Sequence, residues 1–164
     1  MHKEPSVRRF RLSDLDSLLQ IEHASFRKDA YDGNLFAELH RKCGELFLVA
    51  EAGRGARAGE QGVGAYMVTC TRCRLGSRTA ELISVAVAPE ARRAGLASAL
   101  MDATLRRLRR LRVRRFTLAV KVTNRKALAF YRKYGFRQLR TIPAYYEDGK
   151  DAWLMVRDLT ESSK

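Results

Sequence analysis

At 164 residues the chain is long enough to bury one sizeable core, and no apolar run in it approaches the length of a membrane span. Lys and Arg outnumber Asp and Glu by 32 to 18, a formal net charge of +14. Such a field attracts polyanions (nucleic acid, ribosomes, anionic membrane or a phosphorylated cofactor) and repels cationic small amines at long range. The charged N-terminus, residues 1–11, lacks the apolar stretch of a signal peptide, so a soluble, cytoplasmic protein with one domain over residues 1–164 is expected.

Weak alternation from Val7 to Leu12 predicts a first strand. Ser13 to Asp16 reads as a capping box opening a helix, with Leu15, Leu18, Leu19 and Glu22 on one side. A loop runs from Phe26 to Gly33, and Asn34 is expected to cap a second helix through about Lys42. Strands follow over Leu46 to Glu51 and Gly64 to Thr69, separated by a Gly- and Ala-rich turn from Ala52 to Gly62. Cys70 to Arg78 is a polar turn, and Ala80 to Val87 a central strand ended by Pro89. A long helix from Gly95 to about Arg110, a strand from Phe116 to Val122 and a helix from Asn124 to Tyr134 come next. Phe136 to Ile142 and Ala152 to Arg157 make the last strands, around the loop Tyr145 to Gly149. This is an α/β (α+β) pattern: a mixed central sheet of about six to seven strands with helices on both faces.

The three cysteines, Cys43, Cys70 and Cys73, include a C-x-x-C spacing, but zinc needs a second ligand pair that the chain does not supply. Reduced cysteines flanking a strand end are expected, and no metal site. Seven of the ten residues from Arg106 to Arg115 are arginine. This run is either a solvated helix end, where cations suit the negative pole, or an RNA or ribosome contact. No aromatic residues interleave with the arginines, as a stacking surface would require.

The stretch that organises the chain runs from Val85 to Met101. Gly95, with Ala94 and Ala97 beside it, sits in the first turn of a helix, where free backbone N–H groups and a partial positive charge favour anions. Arg92 and Arg93 add full charge there, so the turn reads as a pyrophosphate cradle; a tight glycine turn without a ligand is the alternative. Arg92-Arg93-Ala94-Gly95-Leu96-Ala97 resembles the acetyl-CoA signature of the GNAT acetyltransferase superfamily, [Q/R]-x-x-G-x-[G/A]. About thirty residues later, Asn124-Arg125-Lys126-Ala127-Leu128-Ala129-Phe130-Tyr131-Arg132-Lys133-Tyr134-Gly135-Phe136 resembles the element N-x-x-A-x-x-[F/L]-Y-x-x-x-G-F that follows it in these enzymes. The segment from Tyr145 to Met155 is similar to the close of the N-terminal protein acetyltransferases, the ribosomal-protein alanine branch and its archaeal relatives.

The resemblance implies the GNAT fold and acetyl-CoA as cosubstrate. It implies that backbone groups of Val85, Ala86 and Val87 hold the pantetheine arm like an added strand. The pyrophosphate would lie on the turn Arg92, Arg93, Ala94, Gly95, Leu96, Ala97 and Ser98, with Asn124 on the cofactor's arm. Tyr131 would protonate the leaving thiolate, its alternative being a core aromatic. Tyr145 and Tyr146, with Tyr31 in the first loop, would touch the acceptor. One departure concerns the general base. In the alanine-specific branch a Glu stands five positions before the Asn, where this chain has Ala119. Glu81 occupies the place where other GNAT enzymes carry a base, and alternation sets it on one face with Ile83, Val85 and Val87. It is otherwise a strand-end surface carboxylate.

Neutralising an α-amine of pKa near 8 at pH 7 requires roughly 1.4 kcal/mol, against about 4.6 for a lysine near 10.4. A weak or water-mediated base therefore suits an α-amine better. The expected activity is acetyl transfer to the N-terminal α-amine of a protein or peptide. The alternatives are a small-amine acetyltransferase, and a catalytically weak CoA-binding module docked on RNA or the ribosome through Arg106 to Arg115. No membrane partner is expected, and the protein is a monomer or homodimer.

Overall fold

The computed structural model describes residues 4–51 and 62–159. The turn expected from Ala52 lies outside them except for Gly62. Strands β1 (Ser6–Arg9), β2 (Phe47–Glu51), β3 (Val63–Arg74), β4 (Ser77–Val87), β5 (Arg115–Lys121), β6 (Arg137–Ile142) and β7 (Ala152–Asp158) accompany helices α1 (Leu15–Phe26), α2 (Gly33–Cys43), α3 (Leu96–Arg110) and α4 (Arg125–Lys133). The seven strands join one mixed sheet in the order β1-β2-β3-β4-β5-β7-β6, with β4 and β5 parallel. By packing, the chain forms two compact units, Met1–Cys70 with Ile83–Leu108 and Thr71–Leu82 with Arg109–Lys164.

The first unit is built on β1, β2 and β3, antiparallel neighbours, and on the buried face of α3. Leu96, Leu100, Met101 and Leu108 recur at helical spacing and are fully or almost fully buried, while Asp102, Arg106 and Arg110 stay in water. Phe10 and Phe47 meet edge to face at 4.2 Å, and Phe36 meets Tyr66 at 5.5 Å, the geometry that aromatic quadrupoles favour.

Four local expectations fail here. The first strand stops at Arg9, because Leu12–Asp14 is a 3-10 turn, and Asp14 does not cap α1 with its side chain. Its buried carboxylate instead takes two bonds from the Arg8 guanidinium, 2.8 Å each, and one from the Arg11 amide, which together hold its pKa below the usual range. The cap of α2 is Asp32, whose Oδ1 accepts the Leu35 amide at 2.8 Å, so the helix begins before Asn34. Finally, the cysteines are not all reduced. Cys43, at the end of α2, forms a disulfide with Cys70 on β3, and Cys73 is the exposed free thiol. Sequence spacing drew attention to Cys70 and Cys73 and suggested no pairing, but the buried end of α2 packs Cys43 against the strand.

In the second unit the expected polar turn from Cys70 to Arg78 is a β-hairpin. Its two central residues, Leu75 and Gly76, both take positive φ (50° and 74°), the twist that suits a two-residue hairpin turn. The strands therefore extend to Arg74 and begin again at Ser77. Phe116, Leu118 and Val120 face the core from β5, and Arg115, Thr117, Ala119 and Lys121 the other side. Gly135, with φ 83°, stops α4, and the Phe136 amide bonds back to Tyr131 O at 3.1 Å.

Candidate active site

The turn before α3 is shaped by two residues in the left-handed region, Arg93 at φ 66° and Gly95 at φ 75°. Arg92, Arg93, Ala94 and Gly95 are exposed, and no heavy atom lies within 4 Å of the position a Gly95 Cβ would take. The Ala99 amide bonds Gly95 O at 3.0 Å, and the Leu96 and Ala97 amides precede it at the positive end of a fifteen-residue helix. Ser98 is half-buried in the same turn. An open turn with amides, a helix pole and two guanidinium groups fits a pyrophosphate.

The strand leading to that turn alternates as expected. Leu82, Ala86 and Ala88 are buried, while Glu81, Ile83, Val85 and Val87 are half-buried on the opposite side. The parallel register of β4 with β5 covers Thr79, Ala80 and Glu81 and ends there. Val85, Ala86 and Val87 form no register with β5 among the described residues. Backbone groups without a ladder partner are what an extended ligand needs.

Tyr31 is held by a network that the sequence did not announce. Its amide donates to Glu22 Oε1 at 3.0 Å, and the Tyr66 hydroxyl donates to Glu22 Oε2. Tyr66 and Ser84 hydroxyls share a further bond of 2.9 Å. Glu22 is 1% exposed and Tyr66 0%. Burial pushes the Glu22 carboxyl above its usual range against the pull of its two donors, and pushes the Tyr66 phenol upward as well. The one available signal was a carboxylate on the apolar stripe of α1.

In the second unit, Tyr131 is buried on α4, and burial together with the neighbouring Tyr146 raises its pKa, so its phenol stays protonated through neutral pH. Tyr145 and Tyr146 meet edge to face at 5.0 Å, with Tyr145 52% exposed and Tyr146 half-buried. Lys121 fixes their loop: its Nζ lies 4.9 Å from the Tyr146 ring centroid and 2.8 Å from Asp148 Oδ2. The loop is also closed on itself, the Tyr146 amide bonding Lys150 O and the Ala144 amide Asp151 Oδ1. Sequence reasoning passed over Lys121, which lies in no motif, and gave no role to Asp148 within the Tyr145 to Met155 segment. Asn124 caps α4, its Oδ1 accepting the Ala127 amide at 3.2 Å. Glu81 has a side chain 43% exposed, 3.6 Å from Arg72. Ala119 pairs with Leu154 on the same side of β5 as Lys121.

An N-alpha-acetyltransferase of Saccharolobus solfataricus is 27% identical over 163 residues, covering 94% of this chain and 93% of the relative. A putative ribosomal protein bS18-alanine N-acetyltransferase of Bacillus subtilis is 29% identical, over 98% of this chain and all of the relative. The crystal structure of Ard1 from Thermoplasma volcanium superposes with a TM-score of 0.84 at 30% identity, covering 97% of this chain and 100% of that one. The acetyltransferase (GNAT) family itself matches residues 13–136, most of the chain and both of its motifs. This protein belongs to that family and is an acetyl-CoA-dependent acetyltransferase.

Proposed function

We propose that the protein transfers the acetyl group of acetyl-CoA to the free N-terminal α-amine of a protein or peptide in the cytoplasm. The observation that carries this reading is the tyrosine pair itself, Tyr145 against Tyr146 at 5.0 Å, in a loop braced by Lys121 and Asp148. Paired rings give rigid surface and hydroxyl hydrogen bonds suited to a peptide backbone, which a small amine hardly needs. Relatives named N-alpha-acetyltransferase support the same acceptor.

When bound, acetyl-CoA supplies an acetyl group activated as a thioester. The turn from Arg92 to Ser98 holds the pyrophosphate by backbone amides and two guanidinium groups, and Val85, Ala86 and Val87 offer backbone partners to the pantetheine. Asn124, the cap of α4, is the residue that the resemblance assigns to the cofactor's arm. The α-amine nitrogen forms the new amide bond as the carbon–sulfur bond breaks. The amine's proton leaves to Glu81, directly or through water, or to water alone. Tyr131 donates to the sulfur. A phenol raised above its ordinary value near 10 is a weaker acid than a thiol near 8.5, so its contribution is a hydrogen bond to developing thiolate rather than early proton loss.

The test compares one peptide sequence with a free or a blocked N-terminus and an internal lysine, with polyamines and amino sugars alongside. Faster transfer to the free α-amine is expected. Faster transfer to a small amine, or to lysine in the blocked peptide, would reassign the acceptor.

A further inference from the structure

Strand register gathers the arginines of the second unit at one end of it. β4 and β5 run parallel with Thr79 beside Arg115, β7 runs antiparallel and ends with Asp158 opposite Arg115, and β6 starts at Arg137 opposite Val156. The starts of three strands and the end of a fourth therefore share one edge. The other end of β5 carries Lys121, the tyrosine loop and Asn124. Seven strand residues separate the two ends by about 20 Å.

Backbone bonds fix the arginine end in place. The Arg114 amide donates to Arg78 O at 2.9 Å, the Arg112 amide to Arg109 O at 3.0 Å, and the Leu159 amide to Arg114 O at 2.8 Å. The Arg78 guanidinium donates to Leu111 O at 3.0 Å, tying the β3–β4 hairpin to the turn after α3. Acidic compensation there is local. Asp158 pairs with Arg115 and Arg137, and Glu81 with Arg72. Arg74, Arg109, Arg110, Arg112 and Arg114 are exposed and have no acidic partner among the described residues. Arg112 also sits at φ 56°, a backbone state that a glycine would adopt without strain, yet the position carries a charge.

We infer that this end of the second unit is a docking surface for the phosphate backbone of double-helical RNA. Guanidinium forks match phosphate oxygens in pairs. The large exposed apolar residue of the hairpin tip is Leu75 and no aromatic ring stands among the five arginines, so bases of a single strand find no stacking platform. Duplex RNA needs none, because it is bound through shape, phosphate and 2′-hydroxyl contacts. The choice of RNA over DNA rests on the proposed acceptor: new α-amines emerge at the ribosome, whose surface is largely duplex RNA. Docking at the arginine end leaves Tyr131, Tyr146 and Asn124 clear of the phosphates.

Binding of an RNA duplex of about 20 base pairs, long enough for one protein module, should be followed by fluorescence anisotropy across salt concentrations. Five phosphate contacts predict a slope of log K against log salt of about −4.5. The triple variant Arg110→Ala, Arg112→Gly, Arg114→Ala should lower the slope by about 3 and weaken binding at low salt more than tenfold. Its acetylation of a free peptide should stay unchanged, which separates this surface from the proposed acceptor chemistry. If circular dichroism shows that variant unfolded, Arg74→Ala with Arg109→Ala should cut the slope by about 2 instead. Wild-type protein that does not bind RNA overturns the inference, as do folded variants that bind like wild type. A DNA duplex bound as tightly as RNA, or binding to phosphatidylserine vesicles without binding to RNA, overturns it too.

Discussion

The Tyr66 hydroxyl donates to the carboxyl of Glu22, and the other oxygen of that carboxyl receives the amide of Tyr31. One buried acid thus ties α1, β3 and the loop that carries a candidate acceptor residue. Tyr66→Phe leaves that oxygen without its donor, which costs about 1–3 kcal/mol for a buried acceptor. Chemical denaturation should read this loss, and the KM for a peptide should rise more than kcat falls.

The same carboxyl makes stability depend on pH, with a sign opposite to that of a salt-bridged acid. Its pKa is raised in the fold from an ordinary 4.5. As pH climbs past 4.5 the unfolded chain releases the proton that the folded protein keeps, so folding stability falls until pH exceeds the raised value. Glu22→Gln should flatten this decline in denaturant midpoints measured from pH 4 to neutrality. An unchanged slope would show that the carboxyl is charged in the fold.

Gly95→Glu should abolish CoA binding in calorimetry, because it places a carboxylate and its side chain in the open turn. The left-handed φ of 75° adds about 1–2 kcal/mol of backbone strain for any other residue. Gly95→Ala carries that strain without the charge and is the control. A folded Gly95→Glu protein with unchanged CoA affinity removes the pyrophosphate assignment.

Tyr131→Phe keeps the ring and its packing and deletes the donor. Turnover should drop on the order of 10²–10⁴-fold with CoA affinity little altered. Normal turnover would return Tyr131 to the core of α4.

Glu81, proposed as a base, lies half-exposed beside Arg72, so only a modest contribution is expected of it. The rate on an α-amine should rise with pH toward the amine's pKa near 8, and Glu81→Gln should depress it chiefly at the low-pH end. A uniform loss across the profile points to a structural role on β4.

The disulfide between Cys43 and Cys70 closes a loop of 27 residues, which restrains the unfolded chain by about 3.5 kcal/mol in the loop-entropy description. Reductant should lower the denaturation midpoint accordingly. Thiol titration should count one reactive cysteine before reduction, Cys73, and all three cysteines after it.

Local chemistry was legible in the residues themselves. Gly95 opens a helix, and the helix after Asn124 ends by Tyr134, because backbone conformation is decided within a few positions. Alternation set Glu81, Val85 and Val87 on one side of β4, since strand geometry has a period of two. What the sequence could not decide was which distant groups meet. The Glu22–Tyr66 bond spans 44 positions, Cys43–Cys70 spans 27, and Lys121 reaches Asp148 across another 27. Such contacts depend on the register of strands and on which helix end packs against them. The arginines show both sides of this: their number was plain in the chain, but only strand pairing assembled those of the second unit at the end away from Tyr146.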